Sequence, residues 1–226
     1  MTELPIILDN LIEDELQNQI EDAMFDCVWK FGNDVSRTLE TEYRKFINPL
    51  VYDVSPFFCA NIKSNYNKNI YNKVIPLIQR GCYELKFNIE KIERCYGGIH
   101  ALIRKKNKKD GIHVNNIVPH LVMLYYVNDS DGDTILYNKK LDDVSYVINY
   151  PDECCDLEVV HKITPKKGRI LFFDGRLRKE PLPPSVLISK PIKLSNSFVA
   201  SIANAPAPSP KRIQLLLSFQ STKLDS

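Results

Sequence analysis

The stretch Gly111 to Asn138, GIHVNNIVPHLVMLYYVNDSDGDTILYN, holds two of the chain's four histidines, His113 and His120. His113 stands two residues before Asn115. On an extended backbone that spacing puts both side chains on one face, the first half of a facial metal triad when the second residue is a carboxylate. Here the second donor is a neutral amide oxygen, which compensates no metal charge. His120 opens the run HLVMLYYVN, where a histidine hydrogen-bonded at a strand start is the ordinary expectation. His100 and His161 fall in alternating runs and read as ladder positions. Asp129, Asp131 and Asp133 flank Gly132 in NDSDGDT, a hairpin-like turn whose carboxylates are expected to bond their own backbone, with Gly132 free to take positive φ. The further ligands of a calcium loop are missing. Six cysteines lie scattered without a CxxC pair, and adjacent Cys154 and Cys155 are poorly placed for a disulfide or a metal clamp, so all six read as reduced thiols.

These residues need a scaffold, and the texture of the chain changes near Leu85. Before it, Leu11, Ile12, Leu16, Ile20, Met24 and Val28 recur at helical spacing, which predicts an amphipathic helix from Asp9 to about Phe31 with Asp9 or Asn10 as cap. A second helix is expected over Ser36 to Ile47, and a third between about Phe57 and Cys82, strained by Pro76. After it come short β-rich runs separated by turn residues: KFNIEKIE, YGGIHALIR, HLVMLYYVN, TILYN, VSYVIN, LEVVHKI, RILFFDG, SFVASIA and RIQLLLSF. Strands at this spacing predict a sandwich or jelly-roll barrel, with the helices covering one outer face of a sheet. The expected organisation is α+β in one domain over 1–226, with 1–84 a mainly helical support and 85–220 the barrel core. HLVMLYYVN offers two apolar faces, so its strand is expected to be buried on both sides, with Tyr125 and Tyr126 on opposite faces.

Composition narrows the partners. Thirty basic and 28 acidic side chains leave a formal charge of +2, so no whole-chain field draws nucleic acid or anionic membrane. The basic segments RKKNKKDG and RLRK lack aromatic interleaving, and nucleic acid is not an expected partner. The acidic N-terminus does not resemble a secretory signal, and no apolar run approaches the ~20 residues of a membrane span, so the chain reads as a soluble, cytoplasmic protein.

The order IHVNNIVPHLVMLYYVNDSDGDTILYN, then ITPKKGRILFFDGRLRKEPLPP, then KRIQLLLSF resembles the Fe(II)- and 2-oxoglutarate-dependent dioxygenase superfamily, in its prolyl-hydroxylase-like branch found in viruses and bacteria. The likeness covers roughly Leu85 to Phe219, and its most specific parts are LYYVNDSDGDT and PKKGRILFFDGR. The resemblance implies a double-stranded β-helix, with LKFNIEKIERCYGGIHALI as a strand pair ahead of the metal motif. It also implies iron and 2-oxoglutarate as cofactors. His113 matches the first metal ligand, Asn115 stands where a carboxylate belongs, and Lys179 falls where the distal histidine is expected. Arg212 matches the arginine that pairs with the co-substrate carboxylate, although a strand-borne arginine also suits a sheet edge. One of Tyr125 and Tyr126 is expected to face the barrel pocket and donate its hydroxyl to a small acid, with Tyr125 the candidate and the other in the core. Two functions remain open: an iron-dependent hydroxylase acting with a small carboxylate co-substrate, or an inactive relative that keeps the barrel as a carboxylate-binding or protein-interaction module.

Overall fold

The computed structural model describes residues 4–27, 30–31, 57–62, 67–101, 119–140, 157–182 and 211–223. They form ten strands and two helices: β1 Ile6–Leu8, α1 Asp14–Phe25, β2 Lys30–Phe31, β3 Phe57–Asn61, α2 Lys68–Leu85, β4 Phe87–Ala101, β5 Leu121–Tyr126, β6 Thr134–Lys140, β7 Val159–Ile163, β8 Ile170–Asp174, β9 Leu177–Pro181 and β10 Lys211–Lys223. The strands make two sheets, a seven-stranded one in the order β1-β8-β5-β10-β4-β3-β2 and a three-stranded one in the order β7-β6-β9. All pairings are antiparallel. The two sheets with helices on one side match the expected jelly-roll, or double-stranded β-helix, architecture.

Strict alternation divides the core into two layers. From β5, Met123 and Tyr125 join Phe172, Leu215 and Leu217 in a cluster closed by Ile20 and Met24 of α1 and Val74, Leu77 and Ile78 of α2. Val122, Leu124 and Tyr126 point the other way and meet Leu136, Ile163, Leu171, Phe173 and Leu177 between the sheets. All six residues of β5 are buried, which explains a run with no polar face.

The helices differ in extent from the sequence expectation. Ile6 to Leu8 is a strand on β8, Asn10 takes a positive φ of 57°, and α1 starts only at Asp14. Asp9 is therefore no cap; its carboxylate accepts two hydrogen bonds from Arg169, at 2.7 and 2.8 Å. Asp14 and Glu15 in the first turn of α1 suit the positive end of the helix dipole. The third expected helix begins as strand β3, and α2 starts at Lys68 and carries Pro76 inside it. Pro76 has no N–H to donate to the carbonyl of Asn72, and both residues are exposed. Gly81 lets α2 lie against the sheet: a Cβ there would stand 2.8 Å from Cζ of Phe172.

Three expectations on the strands change. The run from Phe87 to Ala101, which holds most of KFNIEKIE and the first six residues of YGGIHALIR, is one continuous strand, β4, and it pairs with β10 along its whole length with two register shifts. NDSDGDT is not a hairpin, because β5 and β6 belong to different sheets and the turn carries the chain between them. Positive φ falls at Gly168 (79°), not at Gly132. Leu177, Arg178 and Lys179 of the basic segment RLRK lie in strand β9 and are buried. The helix expected over Ser36 to Ile47 and the runs VSYVIN and SFVASIA lie outside the described residues.

Candidate functional site

The turns at one end of the inter-sheet layer are built from the motifs that were most specific in the sequence. Asp129 accepts from the backbone N–H of Lys167 at 2.7 Å, Ser130 Oγ accepts from the N–H of Gly132 at 3.1 Å, and Leu182 N–H reaches the carbonyl of Asp133 at 2.8 Å. The Ser130 hydroxyl thus bonds the turn's own backbone, whereas the Asp129 carboxylate takes the backbone of the PKKG turn and the Asp133 carboxylate pairs with Lys162 at 3.1 Å. At the other end, Asp174 accepts from the N–H and guanidinium of Arg176 and pairs with Lys140 at 3.0 Å. Burial alone would raise the Asp174 carboxyl, but Arg176 and Lys140 outweigh it and hold the group well below the usual carboxylate range.

Between these ends, Lys179 occupies the inter-sheet side of β9. It is 3% exposed, pairs directly with Leu136 of β6, and sets Nζ 5.6 Å from the ring centroid of Phe173. That distance is a cation–π contact between the two sheets. Its neighbours on β9 face the opposite way: Glu180 accepts a 2.7 Å hydrogen bond from the Tyr137 hydroxyl. The sequence signal for this burial was the spacing of Leu177 and Lys179, masked by the charges around them.

Tyr125 does not face this layer. It packs on the helix side of the sheet with Met24 and Phe172, fully buried, and its hydroxyl has no hydrogen-bond partner among the described residues. Burial raises its phenol above the ordinary value, with Glu21 adding to the effect. The tyrosine on the inter-sheet side is Tyr126, whose hydroxyl donates to Thr134 Oγ1 at 2.7 Å. Tyr125, the candidate for the co-substrate pocket, thus lies on the helix side, and Tyr126 on the inter-sheet side; from the sequence it follows only that the two tyrosines oppose each other.

Arg212 lies near the start of β10, paired in register with His100 of β4, two residues before Gln214, which pairs with Tyr126. His113 and Asn115 lie outside the described residues. His120 is buried at the entrance to β5. Its carbonyl accepts from the N–H of Gly175 at 2.9 Å, and a Cβ on Gly175 would overlap its ring. His161 is exposed on β7. Among the described residues no three His, Cys, Asp or Glu side chains are grouped to hold a metal ion.

No protein-family model matches the chain, and no curated protein matches it. Solved structures do. A 2OG-Fe(II) oxygenase family oxidoreductase from Burkholderia pseudomallei superimposes with a TM-score of 0.52 at 10% identity, covering 96% of this chain and 84% of that one. The non-heme alpha-ketoglutarate-dependent epimerase SnoN of nogalamycin biosynthesis gives 0.51 at 7% identity, covering 96% and 76%. The fold is that of the 2OG-Fe(II) oxygenases. A prolyl hydroxylase from Trichoplax adhaerens, solved with a peptide of hypoxia inducible factor, is similar at 17% identity with a TM-score of 0.48, covering 96% and 84%. In the oxygenase fold of this chain the larger sheet carries the helices, and the layer between the sheets holds Lys179, Phe173, Tyr126 and Thr134. No helix among the described residues is long and apolar enough to cross a membrane.

Proposed function

We propose that this protein uses the oxygenase fold to bind a small organic acid of the 2-oxoglutarate type, without an iron centre of the 2-His-1-carboxylate kind. The observation that carries the reading is Lys179, buried between the sheets against Phe173. By motif it stands where the oxygenases place their distal histidine. A lysine ammonium has no lone pair to give a ferrous ion and repels it. Asn115, at the carboxylate's position in the motif, adds no negative charge. These residues do not fit the metal.

The same residue suits an anion. An ammonium in a low-dielectric layer supplies the positive charge that a metal otherwise gives to a bound carboxylate, and Arg212 matches the residue that grips the far carboxylate in a bidentate fork. The protein then acts as a metal-independent acid-binding module on an enzyme scaffold, with its specificity set by the inter-sheet wall.

Anaerobic titration with ferrous ion and 2-oxoglutarate tests this. The expected result is no visible metal-to-ligand charge-transfer band, no succinate on exposure to air, and a rise in melting temperature with 2-oxoglutarate in the presence of a chelator. A band with succinate, both lost in His113→Ala, overturns the reading in favour of an iron-dependent hydroxylase. Lys179→Met removes one charge-assisted contact and is expected to weaken acid binding by about 1.5–3 kcal/mol.

A further inference from the structure

Strand β7 forms one margin of the three-stranded sheet, with β6 beside it and no described strand on its other side. Four of its five residues are exposed, so both faces of the strand present residues to solvent. Val159 and Val160 are 57% and 46% exposed, an apolar pair where edge strands ordinarily carry charge or proline. Pairing with β6 runs from Leu136 opposite His161 directly to Tyr137 opposite Val159, so Val160 has no residue opposite it on β6.

The charges around Val160 are arranged symmetrically in position and oppositely in sign. Glu158 lies two residues before it and Lys162 two residues after it, both exposed. Turned antiparallel on a second β7 about a two-fold axis at Val160, the strand sets Val160 against the partner subunit's Val160. Val159 then meets the partner subunit's His161, and Glu158 meets the partner subunit's Lys162, the last two contacts each made twice. Opposite charges directly across a strand pair stabilise it, whereas an in-register parallel pairing would stack Glu158 on Glu158 and Lys162 on Lys162. Within its own chain Glu158 accepts from Asn138 Nδ2 at 3.2 Å and Lys162 pairs with Asp133 at 3.1 Å. With 64% of its side chain exposed, Lys162 has room for a second carboxylate.

We propose that β7 is an isologous contact through which a second copy of this chain adds its own β7 antiparallel, joining two three-stranded sheets into one of six strands. The strand is short and buries less area than a standard interface, so the dimer is weak and depends on concentration.

Sedimentation velocity on the full chain and its variants tests the pairing. The wild-type chain is expected to move from monomer at about 1 μM to dimer at about 300 μM, the range of a weak contact. Glu158→Lys sets lysine against lysine and Lys162→Glu sets glutamate against glutamate, so each alone stays monomeric over that range. Mixed in equal amounts, the two variants restore both opposite-charge pairs, and the dimer returns. Val160→Lys places two lysines on the axis and abolishes the dimer. A wild-type chain that stays monomeric at about 300 μM overturns the proposal. So does a dimer indifferent to Val160→Lys, or a mixture of the folded charge variants that stays monomeric. Should Lys162→Glu fail to fold for want of its contact with Asp133, Val160→Lys and Glu158→Lys decide the question alone.

Discussion

Tyr125 and Tyr126 are adjacent, both fully buried, and opposite in what their hydroxyls do. The Tyr126 hydroxyl donates to Thr134, whereas that of Tyr125 is sealed under the helices with no hydrogen-bond partner among the described residues. An unsatisfied buried hydroxyl costs free energy, and removing it costs none of the ring's packing. Tyr125→Phe is therefore expected to be neutral or to stabilise the fold by up to about 1 kcal/mol, and Tyr126→Phe to destabilise it by about 1 kcal/mol, in denaturant unfolding. The reverse order would show that Tyr125 has a partner in solution. Carboxylates set the acid limb of stability. Hydrogen bonds from Arg169 lower the Asp9 carboxyl, and Arg176 and Lys140 lower Asp174 against the opposing effect of burial. A carboxyl with a depressed folded-state pKa adds stability above its unfolded value near ~4 and loses it as pH falls through the folded value. Melting temperature should drop as pH is lowered from about 5, and the drop should be shallower in Asp174→Asn. An Asp174→Asn profile parallel to the wild type would mean that the carboxylate adds nothing at this site.

At the scale of the element, close approach is the feature most open to test. Gly81 brings α2 onto the ring of Phe172, which is fully buried and held between Met123 and Ile6 in the sheet register. Gly81→Ala gains up to about 1 kcal/mol of helix propensity, but the new methyl must displace a ring that has nowhere to go, at a cost of about 1–3 kcal/mol. Net destabilisation is expected in thermal unfolding, and a higher melting temperature would show that the helix simply lifts away. Gly168 differs in kind: its φ of 79° lies in the left-handed region, and a Cβ there would meet the amide of Gln17. Both glycines look alike in sequence, and only their neighbours separate a packing role from a backbone one. The same limit governed strand β9. Leu177, Arg178, Lys179, Glu180 and Pro181 carry too much charge to read as a buried strand, yet the tertiary structure gives Glu180 the Tyr137 hydroxyl and Lys179 the Phe173 ring. Alternation in β5 was legible because the run is apolar throughout, and it foretold two buried faces without saying which face meets the helices.

At the scale of the whole molecule, the metal-free reading has a direct consequence. A resident iron that bound only the folded state would add stability by mass action and lose it on chelation. Exhaustive treatment with a chelator is expected to leave the melting temperature unchanged; a fall reversed by ferrous ion would contradict the proposal at the level of the entire fold. The architecture itself was largely set by sequence pattern: period-two runs after Leu85, helical spacing in Leu16, Ile20 and Met24, and turn residues between the runs dictate strands, helices and their apolar faces, since these depend on local geometry and on the burial of apolar surface. Which strands share a sheet, that β5 and β6 part company at NDSDGDT, that Tyr126 instead of Tyr125 faces the second sheet, and that Lys179 is buried were decided only by the tertiary structure. Each of those depends on contacts between residues far apart in the chain, and on a buried charge finding a partner that no local pattern names.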